Sequence, residues 1–150
     1  IHGIDEIRYL VSANPGQPPK PLAKVASGGE LSRISLAIQV IMSESTQIPT
    51  LIFDEVDSGV GGGVAEIVGK KLRLLGRDRQ VLCVTHLPQV ASQAHHHFRV
   101  EKTSSQDQTS TAVFALEGDD RLEEVARMLG GVRITEQTRA HASEMIATRD

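Results

Sequence analysis

Thr50-Leu51-Ile52-Phe53-Asp54-Glu55 decides how this chain folds. The run is short, apolar and without polar alternation, the pattern of a parallel strand covered on both faces, and it delivers two carboxylates at its end. Ser58-Gly59-Val60-Gly61-Gly62-Gly63 then forms a connector into a helix predicted over 64–75, with Val64, Ile67, Val68, Leu72 and Leu75 on one face. A second apolar run, Val81-Leu82-Cys83-Val84, leads to His86. Strand, helix, strand is the crossover unit of a parallel sheet, which turns right-handed, so the expected class is α/β.

Upstream, residues 4–13 read as a strand ending in the turn Asn14-Pro15-Gly16, and Pro18, Pro19 and Pro21 hold an extended loop. From Gly28 to about Met42 the positions Leu31, Ile34, Ser35, Ile38 and Ile41 recur at helical spacing. Downstream, a short helix is expected after Pro88, then strands over 98–102 and 111–116 that pair as a hairpin around a polar turn. A helix over 119–129 stops at Gly130-Gly131, and a last one over 135–147 has Thr135 as its cap. The three methionines, Met42, Met128 and Met145, fall on apolar helix faces and read as core filler.

With 150 residues the chain suits one domain or lobe, long enough to bury roughly 70% of its unfolded surface. Aromatic residues make up only 3%, so the core must be aliphatic. A net charge of -3 gives no overall basic field to draw the chain to a phosphate backbone, so any DNA contact must be local or lie elsewhere. The single cysteine, Cys83, has no partner for an intrachain disulfide, which fits a reducing compartment. No run approaches the length of a membrane span, so a cytoplasmic protein is expected. Because it starts at Ile1 and enters strand-like sequence almost at once, the chain is expected to be a piece excised from a longer protein.

The residues that carry chemistry cluster around these strand ends. In Ser27-Gly28-Gly29-Glu30, Ser27 and Glu30 have the spacing of a capping box. Capping gives no reason for the two glycines, each of which costs up to about 1 kcal/mol in a helix interior. Bare backbone at a helix N-terminus does suit the approach of an anion such as phosphate. Adjacent strand residues point to opposite faces, so Asp54 and Glu55 cannot do the same job: one can hold a Mg²⁺ shell while the other addresses a water beside the phosphate. Ligands of open parallel sheets gather beyond the carboxyl ends of strands, where Asp54, Glu55 and His86 all fall. Taken singly, the acids could merely cap a loop and His86 be a satisfied strand-end histidine.

Asp57 reads either as a turn aspartate or as a contact to a partner subunit. Gly69-Lys70-Lys71 resembles the end of a phosphate loop, but Val64 stands where the first glycine is needed and Lys71 where Ser or Thr is needed. His95-His96-His97 offers two ligands on one face of an extended segment and nothing nearby to complete a tetrahedral metal site, so it reads as a solvated strand entry. Glu123, Glu124 and Arg127 read as a solvated helix face.

Together these residues resemble the SMC-like ABC ATPase family. Ser27 to Arg33 is similar to its signature motif, Leu51 to Glu55 to Walker B with a catalytic glutamate, Val56-Asp57-Ser58-Gly59 to the D-loop, and Thr85-His86 to the switch histidine. Asn14-Pro15-Gly16, the run from Pro21 to Arg33, Ala126-Arg127-Met128-Leu129-Gly130-Gly131 and Ile134-Thr135-Glu136 resemble, more narrowly, the C-terminal head segment of the bacterial double-strand-break repair member of that family. The likeness runs over nearly the whole chain; the Walker A half and the coiled coil are not in it. What it implies is the C-terminal lobe of an ABC/SMC-type P-loop NTPase head, a parallel sheet flanked by helices with a small hairpin, spanning residues 1–150. It implies a head that dimerises with a second protomer and sandwiches ATP between the phosphate loop of one and Ser27 of the other, with Gly28, Gly29, Glu30 and Asp57 also at the nucleotide. Glu55 would polarise the attacking water, Asp54 hold Mg²⁺, and His86 contact the γ-phosphate. The partners implied are the N-terminal Walker A half of the same protein, a second head and DNA, in a nucleoid-associated bacterial protein of repair and recombination, and the chain alone is expected to be inactive. A transporter's nucleotide-binding subunit shares the motifs, and a non-hydrolysing dimerisation module is a further alternative.

Overall fold

The structure, a computed structural model, describes residues 3, 7–12, 16–24, 34, 36–38, 40–42, 48–54, 57, 60–104, 109–131 and 133–148. Strand β3 (Thr50–Asp54) and strand β4 (Gln80–Val84) pair in parallel, in step from Thr50 opposite Gln80 to Asp54 opposite Val84. Helix α1 (Gly63–Leu75) makes the crossover between them. It starts after Gly62, whose φ of 56° lies in the left-handed region that glycine enters without strain, and its end is closed by the Gly76 N–H donating to the Leu72 carbonyl at 3.0 Å.

The main core joins Leu36, Phe53, Val60, Ala65, Val68, Leu72, Leu75 and Val90, with Leu51, Val81 and Cys83 packed against it. One face of the strand pair therefore meets α1. The other face carries Ile52, Leu82 and Val84, which are 69%, 46% and 60% exposed. The expectation of strands covered on both faces thus holds for one face within this chain. The helix face also differs from the periodicity reading, for Val64 and Ile67 are exposed while Ala65 and Gly69 are buried with Val68, Leu72 and Leu75. Small residues let α1 approach its neighbours closely, and at Gly69 an added Cβ would lie 2.8 Å from the Gln93 Cγ and 3.0 Å from the Gln89 carbonyl. The lysine-flanked glycine is a helix-packing position.

Before the strand pair, the described residues 34, 36–38 and 40–42 are helical. Leu36 is buried and Val40 packs on the core, one turn apart, whereas Ile41 and Met42 are exposed, so the inward stripe is offset from the one expected. At the start of the chain, strand β1 (Leu10–Val11) and strand β2 (Lys20–Pro21) form a two-residue antiparallel pair, extended by the Leu22 N–H donating to the Tyr9 carbonyl at 2.9 Å. The strand expected over 4–13 is limited to Leu10–Val11 among the described residues. Pro18, Pro19 and Pro21 lack the N–H groups a longer ladder would need.

After β4, the one-turn helix α2 (Pro88–Ala91) opens on a proline, which needs no N–H there. Strands β5 (His97–Ser104) and β6 (Thr109–Leu116) form the expected hairpin, β5 longer at both ends than the sequence indicated and β6 at its start. Helices α3 (Gly118–Gly130) and α4 (Glu136–Ala147) pack around Val125, Ala126 and Ala142, with Leu122, Leu129, Ile134 and Ile146 at the margin. Thr135 caps α4 as expected, its hydroxyl accepting from the Thr138 N–H at 3.2 Å.

Candidate functional site

Asp54 ends β3 opposite Val84, and His86 follows Val84 by two residues, so both lie at the rim formed by the carboxyl ends of adjacent parallel strands. Asp54 is exposed and free to offer a carboxylate at this rim; the His86 side chain is 72% exposed there. The expected site residues Ser27, Gly28, Gly29, Glu30 and Glu55 lie outside the described residues.

Asp57 does something its sequence position did not show. It is 1% exposed, and its Oδ2 gathers donors from the loop after β4: the Thr85 hydroxyl, the His86 N–H at 2.9 Å and the Leu87 N–H at 3.3 Å. The Leu87 N–H also reaches the Thr85 Oγ1 at 3.0 Å, and the His86 Nδ1 stands 3.3 Å from the same Oδ2. The aspartate read as a turn residue or a partner contact is turned inward, where it joins the loop after β3 to the loop after β4. No sequence signal marks this arrangement, because the partners are brought together only by the strand pairing.

Charge at this rim reaches into the sheet. Burial pushes the Cys83 thiol up to about 11, and the negative charges of Asp57 and Asp54 add to it. Cys83 is thus an inert core thiol.

Behind the rim, sequence reasoning missed two buried charged groups. Arg121 of α3 is 7% exposed, and its guanidinium donates to the carbonyls of Ala94 at 2.7 Å and Ser92 at 3.1 Å, closing the end of the helical turn that follows His86. Glu124, expected on a solvated face, is 6% exposed and receives both Arg127 Nε at 2.9 Å and Arg127 Nη2 at 2.6 Å. The hydrogen bond from Arg127 is the first cause holding the Glu124 carboxyl below its usual range, with the charges of Arg127 and Arg99 helping. Of the three consecutive histidines, His95 and His96 are exposed as expected and His97 is half-buried. Burial, and then the charge of Arg121, lower the basicity of His97.

Among the described residues no group of three or more His, Cys, Asp or Glu side chains could hold a metal ion by itself. Asp54 nonetheless fits Mg²⁺, a hard cation that takes one or two carboxylates and fills its remaining positions with water and phosphate oxygens. Two hollows, of about 620 and 360 Å³, lie against α3 and α4 and between α1, α2 and α4; neither is lined by Asp54, Asp57 or His86. The candidate site is an open rim. Among the described residues no helix is long and apolar enough to cross a membrane.

Comparison with models of protein families found no match. Comparison with individual proteins did. The chain is 52% identical over 145 residues to the DNA repair protein RecN of Xylella fastidiosa (strain 9a5c), covering 97% of this chain and 26% of that protein. It is 56% identical over 144 residues to RecN of Vibrio cholerae and 45% identical over 148 residues to RecN of Bacillus subtilis (strain 168), again covering 26% of each. This chain belongs to the RecN family. It corresponds to the C-terminal part of those proteins and spans about a quarter of their length.

Solved structures agree on the fold. An SMC head domain from Thermotoga maritima superposes with a TM-score of 0.51 at 26% identity, over 69% of this chain and 38% of that one. An Smc head domain with a coiled coil and joint, derived from Pyrococcus yayanosii, gives a TM-score of 0.61 at 20% identity, over 77% of this chain and 24% of that one. A structure from work on ATP-driven dimerization and DNA-stimulated activation of SMC ATPases gives 0.60 at 15% identity, over 83% and 81% of the two chains. The fold is that of an SMC-type ATPase head, as the sequence implied.

Proposed function

We propose that residues 1–150 are the C-terminal half of an ATPase head in a RecN-type DNA repair protein, hydrolysing ATP when two heads close on each other. The observation that carries this reading is the shared rim, with Asp54 and His86 at the carboxyl ends of paired parallel strands in a chain of RecN type. The bare apolar face of the sheet supports it too. Ile52, Leu82 and Val84 on this sheet, and separately Phe98, Val100 and Val113 of the hairpin at 56%, 65% and 63% exposure, are apolar side chains of the kind that pack against further protein. The remaining Walker A half of the head is the partner that reading supplies.

In this reading Asp54 would hold Mg²⁺ through its shell, Glu55 would polarise the attacking water as its base, and His86, whose ring is exposed, would contact the terminal phosphate. Ser27, Gly28, Gly29 and Glu30 meet the nucleotide of the opposite head through bare backbone N–H groups. Bound Mg²⁺ and ATP supply the phosphoryl group and neutralise its charge. The chain's own contribution is placement, since phosphoryl transfer depends on positioned charges more than on covalent chemistry. The relatives named above are DNA repair proteins, which favours this reading over a transporter subunit, and the presence of both Asp54 and Glu55 favours it over a module that has lost hydrolysis.

In the full-length protein, Glu55→Gln is expected to retain ATP binding and lose turnover by about 100-fold or more. Turnover at the wild-type rate would refute the assignment. The 150-residue chain on its own is expected to show no turnover.

A further inference from the structure

We propose that Asp57 is the positioning residue of this site, a latch that holds the His86 loop at a fixed distance from the acidic end of β3; the proposal rests on the ATPase reading for its catalytic consequence. Three donors from consecutive residues, the Thr85 hydroxyl and the His86 and Leu87 N–H groups, converge on one oxygen of a carboxylate that is 1% exposed. Asp57 sits three residues beyond Asp54, in the loop that leaves β3, while its donors all sit in the loop that leaves β4. The two loops are next-door neighbours only because Asp54 pairs with Val84. Among the described residues the pairing ends at that rung, and beyond it the carboxylate ties the two segments together.

The second oxygen shows what kind of part this is. Asp57 Oδ1 is buried and, among the described residues, has no hydrogen-bond partner. All of the work is therefore done by Oδ2. An asparagine can place its own Oδ1 where Oδ2 stands and keep the three acceptor bonds, while it loses the charge and puts amide N–H donors where the buried Oδ1 has no partner among the described residues. An alanine loses all three. A latch made by geometry is restored in part by asparagine, whereas an aspartate that acts through its charge on the nearby His86 ring, 3.3 Å away, is not.

The test uses the full-length protein with Asp57→Ala and Asp57→Asn, measuring steady-state ATP turnover and hydrogen exchange of the His86 and Leu87 amides without nucleotide. Asp57→Ala should lower kcat by about 10- to 100-fold with KM for ATP changed by less than about threefold, and speed exchange of both amides by about tenfold or more. Asp57→Asn should recover part of the turnover and of the protection, more than the alanine variant retains. The proposal is overturned if both amides stay protected in Asp57→Ala, or if the asparagine variant loses as much turnover as the alanine. A wild-type protein without turnover would strike the ATPase reading, and the exchange pattern would then decide the latch by itself. Should Asp57→Ala fail to fold, Thr85→Val removes one donor to the carboxylate together with the Oγ1 that the Leu87 N–H reaches, so the His86 amide is the readout: it should exchange faster by a smaller factor, and unchanged exchange there would overturn the latch equally.

Discussion

The guanidinium of Arg121 lies 2.7 Å from the carbonyl oxygen of Ala94, which fastens helix α3 to the turn that follows the His86 loop. The same group reaches the carbonyls of Ser92, Ala91 and His95 at 3.1, 3.4 and 3.4 Å. Arg121→Met should leave these carbonyls without their donor inside the protein and destabilise it by about 2–4 kcal/mol in urea denaturation. Arg121→Lys should recover less than half of that, because an ammonium cannot reproduce the planar fork. Equal stability of arginine and methionine forms would show that the carbonyls find other donors.

At Gly69, α1 packs closely against α2. A methyl group there meets the Gln89 carbonyl at 3.0 Å, a backbone atom that cannot swing aside, so Gly69→Ala should cost about 1–3 kcal/mol despite alanine's better helix propensity. An alanine variant that is more stable than wild type would remove the close-packing role assigned to this glycine.

Thr135 and Thr138 satisfy each other's backbone N–H groups at the start of α4. Thr135→Ala should destabilise the protein by about 1 kcal/mol, and Thr135→Ser by only a few tenths. Comparing the two melting curves separates the cap hydroxyl from the threonine methyl.

Cys83 carries a thiol pushed up to about 11, so its thiolate is scarce at neutral pH. Its alkylation rate by iodoacetamide should still climb close to tenfold per pH unit between about pH 8 and 9.5. A rate that levels off near pH 9, as for an ordinary thiol, would contradict this burial.

Glu124 and His97 both make stability fall on acidification, by opposite routes. The Glu124 carboxyl is held below its usual value of 4.5, so its contribution is complete above that value and disappears as pH drops through the lower folded value. His97 is held below its usual 6.5: above that it is neutral in both states, and below it the unfolded chain takes up the proton first. Wild type should therefore lose stability in two stages, the first beginning near pH 6.5 and the second below about 4.5. His97→Gln should flatten the first stage and Glu124→Gln the second, both read from unfolding midpoints across pH 3–7.5. Of the partners, Arg127 is 57% and Arg99 38% exposed at the side chain, so water can take over part of their pairing and the Glu124→Gln loss should stay near about 1–2 kcal/mol.

Local pattern was enough to write much of this structure down. The apolar run Thr50 to Phe53, the helix after the glycine connector and the run Val81 to Val84 each become the element expected, because strand and helix periods are properties of a few consecutive residues. Thr135 as a cap and Gly130-Gly131 as a stop were legible for the same reason. The rim shared by Asp54 and His86 followed from strand order alone.

Other features depended on which surfaces meet. The face of α1 was misplaced because Val64 and Ile67 are apolar yet lie outside, while Ala65 and Gly69 turn inward as residues small enough for close approach. Glu124 looked like surface charge because nothing near it in the sequence says that β5 brings Arg99 alongside. Sequence by itself determined the elements, their order and the strand ends where chemistry can gather, since hydrophobic periodicity and turn chemistry act within one or two turns of chain. Only the tertiary structure decided that Asp57 faces inward and that Arg121 is buried, because a charged side chain can leave water only where distant segments supply its hydrogen bonds.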